Sequence, residues 1–164
     1  KLMEIIKGDL IKLALEGEAK IIVHGCNCFH AMGSGIAGAL AKKFPEIPAV
    51  DKGYNNVGNP SMLTKYSMAK VTLSQEFNHS TRQTFIHTLD NPFTCINLYT
   101  QYKPGADFLP SLFHVGLQRL NRDLKGQTLW FPMIGCGIGG GDWASVMGEM
   151  VEYLPDVNVK VVVL

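Results

Sequence analysis

The chain has 164 residues, 46% of them hydrophobic, with 15 basic and 14 acidic side chains. This length and composition exclude a disordered or fibrous protein and predict a single compact domain, 1–164. The net charge of +1, without long runs of like charge, argues against duplex nucleic acid as a partner. No apolar run approaches the ~20 residues that cross a bilayer. We therefore expect a cytoplasmic monomer without a membrane partner, and four cysteines as free thiols.

Short apolar runs that predict strands alternate with helical patterns along the chain. The predicted strands are 1–7, 20–26, 68–73, 84–89, 94–100, 128–134 and 159–164. The predicted helices are 35–44, 108–124 and 143–154. Residues 45–60, rich in Pro, Gly and Asn, predict an irregular segment with room for a short helix. This alternation is typical of an α/β sandwich with helices on both faces of a largely buried sheet.

Two glycine-rich loops each lie between a predicted strand and a predicted helix. The first contains Gly33, Gly35 and Gly38, and the second runs from Gly135 to Gly141. Glycine lets backbone N–H groups approach a ligand closely, and a helix N-terminus adds unpaired donors and a partial positive charge. Each junction could hold a phosphate, so the two loops together predict a diphosphate ligand.

Both loops also match the G-x-G-x-x-G pattern of dinucleotide-binding folds, but their context argues against that interpretation. The first match begins about nine residues after the strand, and no acidic residue ends a following strand. The second match leaves too little chain after it for a complete βαβ unit. The chain also lacks the P-loop, G-x-S-x-G and H-E-x-x-H signatures.

Three stretches together resemble the macro domain family, whose members bind ADP-ribose and its derivatives. Gly8-Asp9-Leu10 resembles the family's G-D-[IL] element, residues 32–37 its first phosphate loop and residues 134–143 its second. The resemblance covers nearly the whole chain and implies a three-layer α/β/α sandwich with a mixed central sheet. It implies these ligand-binding residues: Asp9, Leu10, Asn27, Met32, Gly33, Ser34, Gly35, Ile36, Gly135, Cys136, Gly137, Ile138, Gly139 and Gly140.

The stretch 26–28, Cys-Asn-Cys, stands where most macro domains carry Asn-Ala-Ala-Asn. It is similar to the branch of ADP-ribose 1″-phosphate phosphatases and of a relative that removes ADP-ribose from glutamate side chains. The resemblance implies catalytic roles for His24 and Asp142, with Lys65 as an alternative catalytic residue for the relative's reaction. We therefore expect a phosphatase that releases ADP-ribose and phosphate from ADP-ribose 1″-phosphate, with no cofactor and no metal ion.

Each of these side chains also has a purely structural interpretation. His24 ends an apolar strand and fits a buried, hydrogen-bonded core histidine. Asp142 and Asp9 stand where residues that cap helices or begin turns stand. Lys65 fits a solvated lysine, because a nucleophilic lysine needs burial and a lowered pKa.

Two further alternatives concern metal binding and the reaction itself. His24, Cys26, Cys28 and His30 alternate, so a continuing strand would place all four on one side, but zinc ligands are usually spaced by two or more residues. The chain could instead cleave ADP-ribose from a modified protein, or bind ADP-ribose without chemistry. Phosphate release, ADP-ribose release and binding alone distinguish the three functions.

Overall fold

The computed structural model describes residues 3–54, 56–137 and 139–164. Within these ranges it forms a six-stranded sheet in the order β1-β6-β5-β2-β4-β3. The strands are β1 (Glu4–Lys7), β2 (Ile21–Cys26), β3 (Tyr66–Asn78), β4 (Gln83–Tyr99), β5 (Thr128–Phe131) and β6 (Asn158–Val163). The helices are α1 (Leu10–Leu15), α2 (Gly35–Lys43), α3 (Glu46–Tyr54), α4 (Pro110–Asp123) and α5 (Trp143–Tyr153), with a short 3₁₀ helix at Pro60–Met62.

The sheet is mixed, as predicted. Strands β1, β6, β5, β2 and β4 run parallel, and β3 pairs antiparallel with β4 at one edge. Parallel strands need crossover connections, which here are supplied by the helices. The carboxyl ends of β2, β4 and β5 therefore meet at one edge of the sheet, where ligands bind in open α/β folds.

Two apolar layers cover the two faces of the sheet and confirm the predicted sandwich. On one face, α4 and α5 pack through buried side chains such as Leu117 and Met150. On the other face, α1, α2 and α3 contribute Leu10, Leu40 and Ile47. Because both faces are covered, β2 and β5 are dense in apolar residues instead of alternating with polar ones.

Strand β4 is one long strand, although the sequence predicts two shorter ones at 84–89 and 94–100. Its register with β3 shifts, since Val71 pairs with Phe93 and Leu73 pairs with Thr88. Pro92, which cannot donate a ladder hydrogen bond, lies in this irregularity. The carboxylate of Glu46 accepts the N–H groups of Thr72 (2.8 Å) and Leu73 (3.2 Å), so that the unpaired stretch of the edge strand is satisfied.

Residues 45–60 contain the short helix for which the predicted irregular segment left room. Helix α3 covers nine residues of this segment and starts directly after Pro45, with Pro48 in its first turn. Proline is tolerated there because the first N–H groups of a helix have no intrahelical partner. The buried Ile47 and Asp51 attach α3 to the sheet.

All four cysteines are free thiols, of which Cys26, Cys28 and Cys95 are buried and Cys136 is partly exposed. No helix in the described ranges combines the length and the apolar character needed to cross a bilayer.

Candidate functional site

A cleft of about 350 Å³ opens at the carboxyl edge of the parallel strands. Its walls come from four places in the chain: the end of β2, the segment after β4, the segment after β5 and the start of α2. The lining residues are Gly25, Asn27, Ala31, 33–37, Thr100, Gln101, Pro104, Gly105, 132–135, Gly137 and Gly139. Both glycine loops therefore line the same cleft.

The first loop presents an open surface to the cleft. A Cβ on Gly33 or Gly35 would meet no atom within 4 Å. Ser34 is the N-cap of α2, but its side chain makes no capping hydrogen bond. The loop therefore offers both space and the unpaired N–H donors of a helix N-terminus to a ligand.

The second loop folds back on itself and packs against an aromatic ring. Gly141 N–H donates to the Gly135 carbonyl (2.7 Å), and Gly140 N–H donates to the Gly137 carbonyl (3.1 Å). Gly135 has a φ of 75°, and a Cβ there would lie 2.4 Å from the Phe108 ring. Glycine is required at this position by both its backbone conformation and its contact.

Asn27 is 9% exposed and braces the turn that leads to the first loop. Its Oδ1 accepts the N–H groups of Phe29 (2.9 Å) and Ala31 (3.3 Å), and its Nδ2 donates to the Ala31 carbonyl (2.8 Å). These bonds fix the amide beside the cleft, so Asn27 shapes the wall as well as lining it.

The segment after β4 contributes cleft residues that the sequence analysis missed. Thr100 N–H donates to the Cys26 carbonyl (3.0 Å) and so ties this segment to the end of β2. Gln101 Nε2 donates to the carbonyls of Lys103 and Gly105, both at 2.7 Å. The only signal in the sequence was the position of both residues at the end of the predicted strand 94–100, where ligand-binding residues of open sheets lie.

His24 lies on the other side of β2, away from the cleft lining. Its side chain is fully buried, and its Nε2 donates to Asn97 Oδ1 at 2.6 Å. Burial lowers the pKa of His24 to about 4, with the Asn97 hydrogen bond opposing the shift. The imidazole is therefore neutral at physiological pH, which is the arrangement of the core histidine considered above.

A buried chain of hydrogen bonds continues from this histidine. Asn97 Nδ2 donates to Ser67 Oγ (3.2 Å), and the Ser67 and Tyr99 hydroxyls lie 3.0 Å apart. Tyr99 then donates to Asp51 Oδ1 at 2.7 Å. Burial raises the pKa of Asp51. This buried polar chain, from His24 to Asp51, joins β2, β4, β3 and α3 beneath the cleft.

The two predicted site aspartates are exposed helix caps outside the cleft lining. Asp142 caps α5, and its Oδ2 accepts the N–H (3.0 Å) and the hydroxyl (2.8 Å) of Ser145. Asp9 caps α1 and accepts the N–H groups of Ile11 (3.0 Å) and Lys12 (3.3 Å). The contacts of both aspartates are therefore those of helix-capping residues, the structural interpretation given above.

The remaining predicted site residues divide between the cleft and its surroundings. Those on the cleft are Asn27, Gly33, Ser34, Gly35, Ile36, Gly135, Gly137 and Gly139. Those outside its lining are the exposed Lys65, the buried Leu10, and Met32, Cys136 and Gly140. Ile138 lies outside the described residues.

Ionisable side chains are scarce around the cleft. None of the described residues that line it is acidic, basic, histidine or cysteine. His24 and Cys26 approach each other, with 3.6 Å between Nε2 and Sγ. The described part of the chain nevertheless contains no group of three or more histidine, cysteine or acidic side chains that could hold a metal ion. The cleft thus offers mainly backbone groups and neutral side chains to a ligand.

Comparison with known proteins identifies the fold. No family model matches the chain. An uncharacterized 17.5 kDa protein of Enterobacteria phage T4 is 36% identical over 165 residues, covering 98% of this chain and 96% of that protein. The macrodomain of Mycobacterium tuberculosis DarG aligns with a TM-score of 0.67 at 24% identity, over 98% of both chains. The chain has the macro domain fold.

Two relatives of this macro domain carry names that describe an activity. A DNA ADP-ribosyl glycohydrolase of Mycobacterium tuberculosis is 29% identical over 164 residues, which are 94% of this chain and 40% of that protein. An ADP-ribose 1″-phosphate phosphatase of Saccharomyces cerevisiae is 23% identical, over 95% of each chain. The two relatives share ADP-ribose as the common part of their substrates.

Proposed function

We propose that this macro domain binds ADP-ribose in the cleft and acts as a hydrolase of ADP-ribose derivatives, with ADP-ribose 1″-phosphate as the preferred substrate. The observation that carries the proposal is the meeting of two glycine loops, each followed by a helix, in a single cleft. A diphosphate lying between them receives N–H donors from both sides. The distal ribose then lies towards Asn27, at the end of β2.

The composition of the cleft favours recognition by neutral dipoles. Backbone N–H groups at a helix N-terminus stabilise phosphate without a compensating basic side chain. Basic side chains would attract any anion. A cleft without them binds only a ligand whose shape and hydrogen-bonding groups also match. Specificity for a particular nucleotide is the expected result.

The same features suit phosphoryl transfer. Water attacks phosphorus, the bond from phosphorus to the ribose oxygen breaks, and that oxygen takes a proton. Such reactions depend mostly on positioning and on stabilising charge, which backbone donors can supply. Turnover is expected to be slow because no ionisable side chain lies against the described cleft wall.

The contacts of the two predicted catalytic residues support different roles for them. Asp142 is the proton donor in this scheme, and it must exchange its bonds to Ser145 for one to the leaving hydroxyl. His24 is a positioning residue, because its ring contacts Asn97 behind β2 and not the cleft. Replacing either residue tests the assignment directly.

Removal of ADP-ribose from a macromolecule is the second candidate function. The relative named as a DNA ADP-ribosyl glycohydrolase supports it by its 29% identity over 94% of this chain. This chain spans 40% of that protein's length. Lys65 belongs to this candidate as an alternative catalytic residue, although its exposed side chain lies outside the cleft lining.

The first experiment tests the ligand by calorimetry with ADP-ribose. Gly33→Val and Gly137→Val place a side chain where a Cβ meets no protein atom within 4 Å, so they block the ligand without a clash in the fold. We expect affinity to fall about 10-fold or more in each variant, which is ~1.4 kcal/mol. Gly148→Ala, which also meets no atom within 4 Å but lies on α5, is the control with unchanged affinity.

The second experiment tests the reaction. The protein is given ADP-ribose 1″-phosphate and, separately, ADP-ribosylated DNA and protein, while NMR follows phosphate and free ADP-ribose. Phosphate release that falls in Asp142→Asn supports the phosphatase. Release of ADP-ribose from a macromolecule alone supports the second candidate, with Lys65→Met as its test. Binding without either product identifies a protein that only binds ADP-ribose.

A further inference from the structure

Thr100 carries a buried hydroxyl that has no hydrogen-bond partner among the described residues. The residue is 2% exposed and lines the cleft. Two other buried side-chain atoms of the described chain share this property, His30 Nε2 and Glu149 Oε2, but neither belongs to a cleft residue. A buried polar group without a partner destabilises the folded state, so its presence at a cleft needs an explanation.

Both backbone polar groups of Thr100 are hydrogen-bonded to other parts of the chain. Its N–H donates to the Cys26 carbonyl, and its carbonyl accepts the Leu109 N–H, both at 3.0 Å. These bonds hold the residue between the end of β2 and the segment that leads to α4. Valine has nearly the same shape and would fill the position without an unpaired hydroxyl.

Gly25 packs directly against this hydroxyl. A Cβ on Gly25 would lie 2.8 Å from Thr100 Oγ1 and 3.3 Å from Ile134 Cγ1. All three residues line the cleft. Any larger residue at position 25 would therefore displace the Thr100 side chain.

We propose that the Thr100 hydroxyl is a ligand-binding group at the floor of the cleft, and that its partner is a hydroxyl of the distal ribose. This inference rests on the proposed binding of ADP-ribose. The position follows from Gly25, which precedes Asn27 by two residues at the end of β2, where the distal ribose lies in the proposed complex. The hydroxyl is almost inaccessible in the free protein, so a rotation of the Thr100 side chain has to bring it to the ligand, which then satisfies it.

The test compares Thr100→Val with the wild type in two measurements. The midpoint temperature of thermal unfolding without ligand is expected to rise by about 2–4 °C, because the variant removes an unpaired buried hydroxyl. Affinity for ADP-ribose is expected to fall roughly 5–10-fold, because the variant also removes a hydrogen bond to the ligand. Affinity for ADP, which lacks the distal ribose, is expected to stay unchanged.

Two control variants separate this contact from general effects on the strand. Thr100→Ser retains the hydroxyl and is expected to keep wild-type affinity for ADP-ribose. Thr94→Val removes a hydroxyl at the other end of the region where β4 pairs with β2 and is expected to leave both affinities unchanged.

The outcomes distinguish this inference from the proposed function. If the wild type binds neither ADP-ribose nor ADP, the proposed function fails and the inference fails with it. If the wild type binds ADP-ribose and Thr100→Val binds it equally well, only the role of Thr100 is overturned. Equal losses for ADP-ribose and ADP in Thr100→Val would also overturn the assignment to the distal ribose.

Discussion

The cleft and the buried polar chain lie close together but differ in chemistry. The cleft is lined by backbone and neutral side chains, including Gly25 and Thr100. The polar chain contains a histidine, a tyrosine and an aspartate sealed within the protein. On β2 the two regions alternate, since His24 belongs to the buried polar chain and the next residue, Gly25, lines the cleft.

The difference shows that the groups best suited to catalysis are used here to hold the sheet together. Five side chains of the polar chain connect three strands and α3 by hydrogen bonds of 2.6–3.2 Å. Satisfied buried networks of this kind rigidify their surroundings. A rigid support keeps the neighbouring backbone groups of the cleft in a fixed orientation, which favours ligand binding.

The largest expected effect comes from Gly135→Ala, which damages the cleft through its backbone. The variant places a Cβ 2.4 Å from the Phe108 ring at a φ of 75°. We expect a loss of about 2–5 kcal/mol in the free energy of unfolding, from the left-handed conformation and from overpacking. Urea denaturation measures it.

Gly137→Ala is the matched control in the same loop, because its Cβ meets no atom within 4 Å. Its stability should stay within about 0.5 kcal/mol of the wild type, as for other exposed substitutions. Equal stability of the two variants would show that the second loop does not pack against Phe108.

Acid should destabilise the polar chain through His24. The pKa of His24 is about 4 in the folded state against its ordinary value of 6.5, so the unfolded state binds more protons between these pH values. The free energy of unfolding therefore falls as the pH is lowered from 6.5 to 4, by about 3 kcal/mol from this group. Above pH 6.5 this contribution is fully present.

Denaturation from pH 4 to pH 7 checks this by comparing the wild type with His24→Gln. Glutamine can still donate to Asn97 but does not titrate, so its stability should depend less steeply on pH. Parallel curves for the two proteins would show that His24 is not a buried neutral group, and the separation between polar chain and cleft would fail.

The sequence predicted the cleft through features that act locally. Glycine loops between a strand and a helix identify themselves by residue type, and the parallel sheet brings the ends of β2 and β5 together. The same alternation of strands and helices predicted the sandwich. The spacing of the glycines predicted only a diphosphate ligand, and the resemblance to macro domains specified ADP-ribose.

Other features depended on tertiary contacts. The period of two along β2 separates His24 from Gly25, but it does not indicate which of them faces the cleft. Thr100 and Gln101 have no distinctive local pattern and reach the cleft only because β4 lies beside β2. Pro92 indicates a break in the strand. The carboxylate of Glu46, distant in sequence, accepts the N–H groups that this break leaves unpaired in β3.

The smallest expected effect on stability is that of Asp142, where capping and proton donation can be separated. Asp142→Ala removes the acceptor for the Ser145 N–H and should lower the free energy of unfolding by about 1 kcal/mol. Asp142→Asn keeps an acceptor oxygen and should remain close to the wild type in stability, as measured by urea denaturation. An amide cannot act as the acid, so the proposed reaction should be lost in both variants. If Asp142→Asn retains full activity, Asp142 only caps α5, and the chemistry must then come from the backbone groups of the cleft.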